Sequence, residues 1–252
     1  MTPKFVICGM EHTGTTLISD LFRQIPGIDS GFECGVLLRA TPSEFRKLQP
    51  FASHMLAGWG ITAEQLDHCC AAPDFVQFYQ RLMQASTAIS DDTVAIFDKT
   101  PRYLSELTTV LERCDCPVLV SHKDPRAIVC SDFKRAKTDD FHAWYAGYRD
   151  DKLGYVKDCY NQFIKHRDNP RVAAVSLEDL AMNSRATMER MFAHVGERFD
   201  LGYAIIDDLR YDNVRSRTVS PEIAFEYRRF LGKSEQEAIM KDFGCFDAWI
   251  YS

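Results

Sequence analysis

Residues 5–22 read FVICGMEHTGTTLISDLF. An apolar run, Phe5 to Cys8, meets a glycine loop. The loop passes at once into apolar positions at helical spacing: Leu17, Ile18, Leu21, Phe22 and Ile25. Strand, glycine loop and helix form the first half of a β-α-β unit. Backbone N–H groups at such a helix start, with Thr13, Thr15 and Thr16 hydroxyls beside them, make an anion site. The loop Gly9–Thr16, GMEHTGTT, has nearly the spacing of a phosphate-binding loop, G-x-x-x-x-G-K-[ST], but Thr15 stands where the lysine belongs. Without that cation little neutralises a γ-phosphate. The loop therefore suits a ligand that presents its anionic end to the amides and has no third phosphate to transfer. A tight turn capped by threonine is the plainer alternative.

The remaining 230 or so residues alternate in the same manner. After Pro26-Gly27 stops the first helix, residues 42–90 read as helical, with Phe75, Phe78, Tyr79, Leu82 and Met83 on one apolar face that suits a core. TVAIF (93–97) reads as a second strand, followed by DKTPRYL and a helix through Leu111. PVLVS (117–121) is a third, ending in HKDPRAIVCSD, with a helix from Pro125 to about Ala136. A long helix is expected over 140–168, a fourth strand over 171–177, and a helix closing on Gly196. Residues 210–221 read as a polar loop, and two short helices finish the chain. The expected fold is α/β: one domain over 1–252, with a central, mainly parallel sheet of four to five strands and helices on both faces. Right-handed crossovers put the loops after the strands on one edge, where ligands bind.

Composition narrows the partners. Of 252 residues 46% are apolar and 26% charged, with a formal net charge of −6. That balance argues against nucleic-acid or membrane-surface binding and requires any anionic ligand to find a local cationic pocket. No apolar run has the roughly 18 residues of a membrane span, and the run before Gly9 is too short for a signal peptide. Nine cysteines without C-x-x-C or zinc-like spacing read as buried small apolar residues in a reducing, cytoplasmic setting.

Three segments together resemble PAPS-dependent sulfotransferases, enzymes that use 3′-phosphoadenosine 5′-phosphosulfate. HTGTTL (His12–Leu17) resembles the family's phosphosulfate loop, [RK]-S-G-T-T-L in outline. KDPRAIVCS, from Lys123 to Ser131, resembles the 3′-phosphate segment R-D-P-R-x-x-x-x-S. SLEDL (Ser176–Leu180), followed by FAHVG, resembles the strand-end motif that comes after it. The pattern is nearest to tyrosylprotein and bacterial sulfotransferases and covers residues 4 to about 200, with DKTPRY in its proper place between the first two segments.

The resemblance implies transfer of a sulfuryl group from PAPS to an acceptor hydroxyl on a phenol, tyrosine, sugar or small alcohol, leaving adenosine 3′,5′-bisphosphate, with no metal. It implies a nucleotide site at His12, Thr13, Gly14, Thr15, Thr16, Lys123 and Ser131, with Arg217 in a covering segment that also holds Arg215 and Ser216. It implies that Lys99 offsets charge on the leaving phosphate and that Glu33 takes the acceptor's proton.

His12 departs from the arginine or lysine of relatives. It donates to the sulfate, carries charge only when protonated, or is itself a base. Glu11 in an anion loop is repulsive and is expected to point outward. Arg126 is expected to pair with Asp124, His122 to be structural, and Asp98 to orient Lys99. Lys99 as a surface residue, Glu33 as a helix cap, and Lys123 with Ser131 as solvated residues are the plainer alternatives. Two other functions remain open: a small-molecule kinase, with Asp98 as its magnesium ligand, and a non-catalytic nucleotide-binding module.

Overall fold

A computed structural model of the chain describes residues 3–207 and 220–244; Arg215, Ser216 and Arg217 lie outside them. The order is β1 (Val6–Gly9), α1 (Thr15–Phe22), β2 (Ile28–Asp29), α2 (Pro42–Phe45), α3 (Phe51–Gly58), α4 (Ala63–Cys70), α5 (Phe75–Ala85), β3 (Ala95–Ile96) and β4 (Asp98–Lys99). Then come α6 (Leu107–Arg113), β5 (Val118–His122), α7 (Pro125–Phe133), α8 (Phe141–His166), β6 (Val172–Ser176), α9 (Leu177–Met182) and α10 (Ser184–His194). After the undescribed segment follow α11 (Pro221–Ala224), α12 (Tyr227–Phe230) and α13 (Lys233–Phe243).

The central sheet is wholly parallel, in the order β4-β1-β5-β6. Its registers pair Ile7 with Lys99, Gly9 with Ser121 and His122 with Ser176. All four strands therefore end on one edge, which carries the first loop, Thr100, Lys123 and Ser176. Strand alternation sends neighbouring side chains to opposite faces. Val6, Cys8, Val118 and Val120 join a core with α3, α4, α5 and α8, while Phe5, Ile7 and Leu119 join one with α1, α9 and α10. This is the expected two-sided α/β architecture with four strands in the main sheet.

One sequence expectation is refined and another changes. The helical reading of 42–90 resolves into four helices that end at Ala85, with Pro50, Gly60 and Pro73 at the breaks between them. The extended run at 93–97 is not a strand of the main sheet. Ala95–Ile96 pairs with β2, and only at Asp98–Lys99 does the chain join β1. Lys99 thus belongs to a strand rather than to the turn after it. The cysteine expectation of burial fits Cys8, Cys34, Cys69, Cys70, Cys116, Cys130 and Cys159, all buried free thiols; Cys114 is half-buried.

Candidate active site

The first loop is shaped by backbone geometry. Gly14 has φ +91°, which glycine adopts without penalty, and a Cβ there would stand 2.9 Å from Cδ1 of Leu177. The SLEDL motif therefore packs directly against the loop. Thr13 is buried; its hydroxyl donates to the Met10 carbonyl at 2.7 Å, and its own carbonyl accepts from Ser121 Oγ at 2.6 Å. Thr13 thus closes the loop on itself and ties β1 to β5. Helix α1 has no side-chain cap, so threonine capping is not what the loop is for. Its first-turn amides, at Thr15 and Thr16, lack intrahelical partners. Thr15 is buried and Thr16 half-buried.

His12 has φ +67°, uncommon for a residue with a side chain. Its Nε2 lies 2.8 Å from Asp132 Oδ1, on α7. Glu11 does point outward, to Lys152 Nζ at 3.0 Å.

Beside the loop, β4 carries Lys99, which is 1% exposed. Its Nζ lies 3.3 Å from Glu33 Oε1 and 4.5 Å from the centroid of the Phe32 ring. Burial pushes the Lys99 pKa down, against the pull of the Glu33 carboxylate. The Glu33 side chain keeps 23% of its surface open, so the carboxylate stands between the buried ammonium and solvent. It makes no helix cap: the 3₁₀ turn that follows, Val36–Leu38, starts at Gly35 without a side-chain bond.

The segment around Glu33 is tightly fixed. Phe32 donates its N–H to Gly58 at 2.9 Å and accepts from Trp59 Nε1 at 2.6 Å. A Cβ on Gly31 would lie 2.4 Å from the Trp59 ring. On the other side, Cys34 and Gly35 each donate an N–H to Thr100 Oγ1 at 3.1 Å.

Asp98 does not orient Lys99 through a contact. Its buried carboxylate accepts from Tyr79 at 2.5 Å, Tyr103 at 2.7 Å and Thr100 Oγ1 at 2.8 Å. Burial raises its pKa against these three donors. A carboxylate so enclosed and engaged is not presented to a magnesium ion, which removes the kinase reading's metal ligand.

Lys123 follows β5 and is 6% exposed, with no ion pair or hydrogen bond among the described residues. Burial lowers its pKa, with Glu178 and Glu226 opposing. Glu178 of the SLEDL motif accepts the Asp124 N–H at 3.0 Å and so fixes the turn that Lys123 occupies. Arg126 pairs with Asp124 as expected, its Nε 2.9 Å from Oδ1. Ser131 lies two turns into α7, and its Oγ accepts from Arg135 at 2.6 Å.

Sequence reasoning brought together the loop, Lys99, Glu33 and Lys123, which all border one sheet edge. It missed Asp132, Arg135, Glu178 and Thr100. Asp132 directly follows the noted Ser131, and Arg135 lies one helical turn beyond it. The contacts of Glu178 and Thr100 cross 54 and 66 residues of chain.

A buried lysine with no ion pair or hydrogen bond among the described residues, on the same sheet edge as uncapped amides, fits a ligand with two separated anionic groups. Comparison with known proteins bears on that ligand. The model of a family described as the sulfotransferase family matches residues 3–200. No match was found among curated proteins. Among solved structures, the sulfotransferase domain of the Synechococcus PCC 7002 olefin synthase is similar with TM-score 0.64 and 18% identity, covering 95% of this chain and 93% of that one. The sulfotransferase domain from the curacin biosynthetic pathway follows with TM-score 0.60 and 14% identity, covering 95% and 96%. Mouse sulfotransferase SULT7A1, complexed with PAP, has TM-score 0.51 and 10% identity, covering 97% and 84%.

Proposed function

The chain belongs to the sulfotransferase family, and on that premise we propose that it transfers a sulfuryl group from PAPS to an acceptor hydroxyl, with Glu33 as general base. The reading takes residues 1–252 as one working domain. One observation carries it: adjacent strands β4, β1 and β5 bring Lys99, the uncapped loop and Lys123 to the same sheet edge. An anion at the loop and a second at Lys123 are what a 3′,5′-substituted adenosine offers and ATP does not.

PAPS supplies the sulfuryl group when bound. The amides of Gly14, Thr15 and Thr16 hold the phosphosulfate, with His12 donating to it. Lys123 and Ser131 hold the 3′-phosphate, with Arg135 beside the serine. Glu33 accepts the proton of the acceptor hydroxyl as its oxygen bonds to sulfur and the bridging S–O bond breaks. Lys99 and the loop amides offset the negative charge left on the phosphate. Positioning and charge stabilisation supply the rate. Phe32, half-buried beside Glu33 with its ring over the Lys99 ammonium, offers a face that suits a phenol or sugar ring.

Calorimetry separates the readings. Adenosine 3′,5′-bisphosphate binds and ATP binds weakly or not at all; the reverse order would sink the PAPS reading in favour of a kinase. With labelled PAPS and a panel of phenols and sugars, Glu33→Gln loses roughly 10²–10⁴-fold in kcat, as does Lys99→Met, while both retain the bisphosphate. Full turnover in Glu33→Gln moves the base elsewhere, to His12 first. Binding without turnover on any acceptor leaves a nucleotide-binding module.

A further inference from the structure

His12 stands where relatives carry a permanent cation, and it is held from outside the loop. Its Nε2 meets Asp132 Oδ1 at 2.8 Å, and the other carboxylate oxygen accepts from Tyr148, on α8, at 2.8 Å. Tyr148 is itself fixed, stacked on Trp144 with centroids 4.7 Å apart and edge-on to Phe243. The backbone at His12 takes a conformation that a non-glycine residue keeps only when its surroundings enforce it.

An ionised carboxylate can only accept hydrogen bonds. With Tyr148 donating to Oδ2, the bond at Oδ1 requires a proton on Nε2. Nδ1 then makes no hydrogen bond among the described residues. In a neutral ring it can only accept and would repel an anion placed beside it. In the imidazolium it donates.

We propose that Asp132 is a positioning residue, which orients His12 through Nε2 and stands as counter-ion to the imidazolium that forms when the phosphosulfate binds, so that Nδ1–H takes the place of the missing arginine or lysine there. The inference rests on the sulfotransferase reading. Asp132 has the character this needs: burial acts to raise its pKa, but the His12 and Tyr148 bonds and the charge of Lys152 bring it below the usual carboxylate range. The charged and titratable groups around His12 are Asp132 on α7, Tyr148 and Lys152 on α8, and Glu11 beside it in the loop. Glu11 and Lys152 pair with each other. Asp132 also adjoins Ser131, so one helix serves both ends of the nucleotide.

The test is a double-mutant cycle read by calorimetry with adenosine 3′,5′-bisphosphate on the full chain. Asp132→Asn weakens binding on the order of tenfold or more. In a His12→Lys background the same change causes no loss, because lysine carries its charge unaided. Tyr148→Phe, which keeps the ring stack and removes one hydrogen bond, causes a smaller loss of the same kind, again absent with His12→Lys; it gives the answer alone if Asp132→Asn does not fold. Unchanged affinity in Asp132→Asn and Tyr148→Phe overturns the inference. So does an equal loss in both backgrounds, since Asp132 would then act on α7 and not through His12. Failure of the unaltered chain to bind the bisphosphate overturns the sulfotransferase reading itself, and this inference with it.

Discussion

His122 ends β5, directly before Lys123, and is 2% exposed. Burial pushes its pKa down to about 4. In the unfolded chain an ordinary histidine takes up its proton near pH 6.5. Between those values the unfolded state binds more protons than the folded one, so His122 makes stability fall as pH drops through that window and leaves it flat above. The full effect is about 3 kcal/mol. Urea unfolding at pH 7 and pH 4 should show the unaltered chain losing about that much more than His122→Gln; parallel losses would mean that His122 is protonated in the fold as well. The residue scale also shows what single letters conceal. Glu33 and Lys99 each carry recognisable chemistry in the sequence, but their 3.3 Å contact spans 66 residues of chain. Lys99's burial, which gives that contact its force, is a property of the strand pairing.

At the scale of elements, the instructive segment is 93–100. Its first five residues, TVAIF, are mostly β-formers, so propensity sees a single strand ending at Phe97. The fold divides the segment at Phe97. That ring stacks on Phe5 at 4.7 Å, and its carbonyl accepts from Ser30 Oγ at 2.8 Å. The run before it pairs with β2 and the run after it with β1. This division brings Thr100 against the Glu33 segment, where Oγ1 accepts from two buried amides and donates a hydrogen bond to Asp98. Thr100→Val keeps the shape and strands both amides, each worth about 1–3 kcal/mol. The expected result is a loss of stability on that scale in urea unfolding, together with a fall in kcat and a nearly unchanged dissociation constant for adenosine 3′,5′-bisphosphate. A variant that turned over normally would show that Glu33 does not depend on this anchor. The helices over 42–85 were easier to read: their breaks stand in the sequence at Pro50, Gly60 and Pro73.

For the whole molecule the consequence lies in Lys123, a cation buried at the centre of the sheet's ligand edge with no ion pair or hydrogen bond among the described residues. A buried unpaired charge is unfavourable until an anion joins it. Lys123→Met should therefore leave the unliganded chain at least as stable. Adenosine 3′,5′-bisphosphate at 100 times its dissociation constant should stabilise the unaltered chain by about 2.7 kcal/mol, and the same concentration should leave Lys123→Met nearly unshifted in thermal unfolding. A full shift in the Met variant would remove Lys123 from the site. The sequence by itself determined the alternation of strands and helices, the loop at Gly9–Thr16, and the residue types at Lys99, Lys123 and Glu33. These follow from local periodicity, glycine and proline chemistry, and motif spacing, which act within a few residues along the chain. Only the tertiary structure decided that Lys99 lies beneath Glu33, that Asp98 turns away into a cage of hydroxyls, and that His12 is answered by Asp132. Such pairings come from strand order and from burial against distant segments, where desolvation favours a partner for a buried polar group whatever its place in the chain.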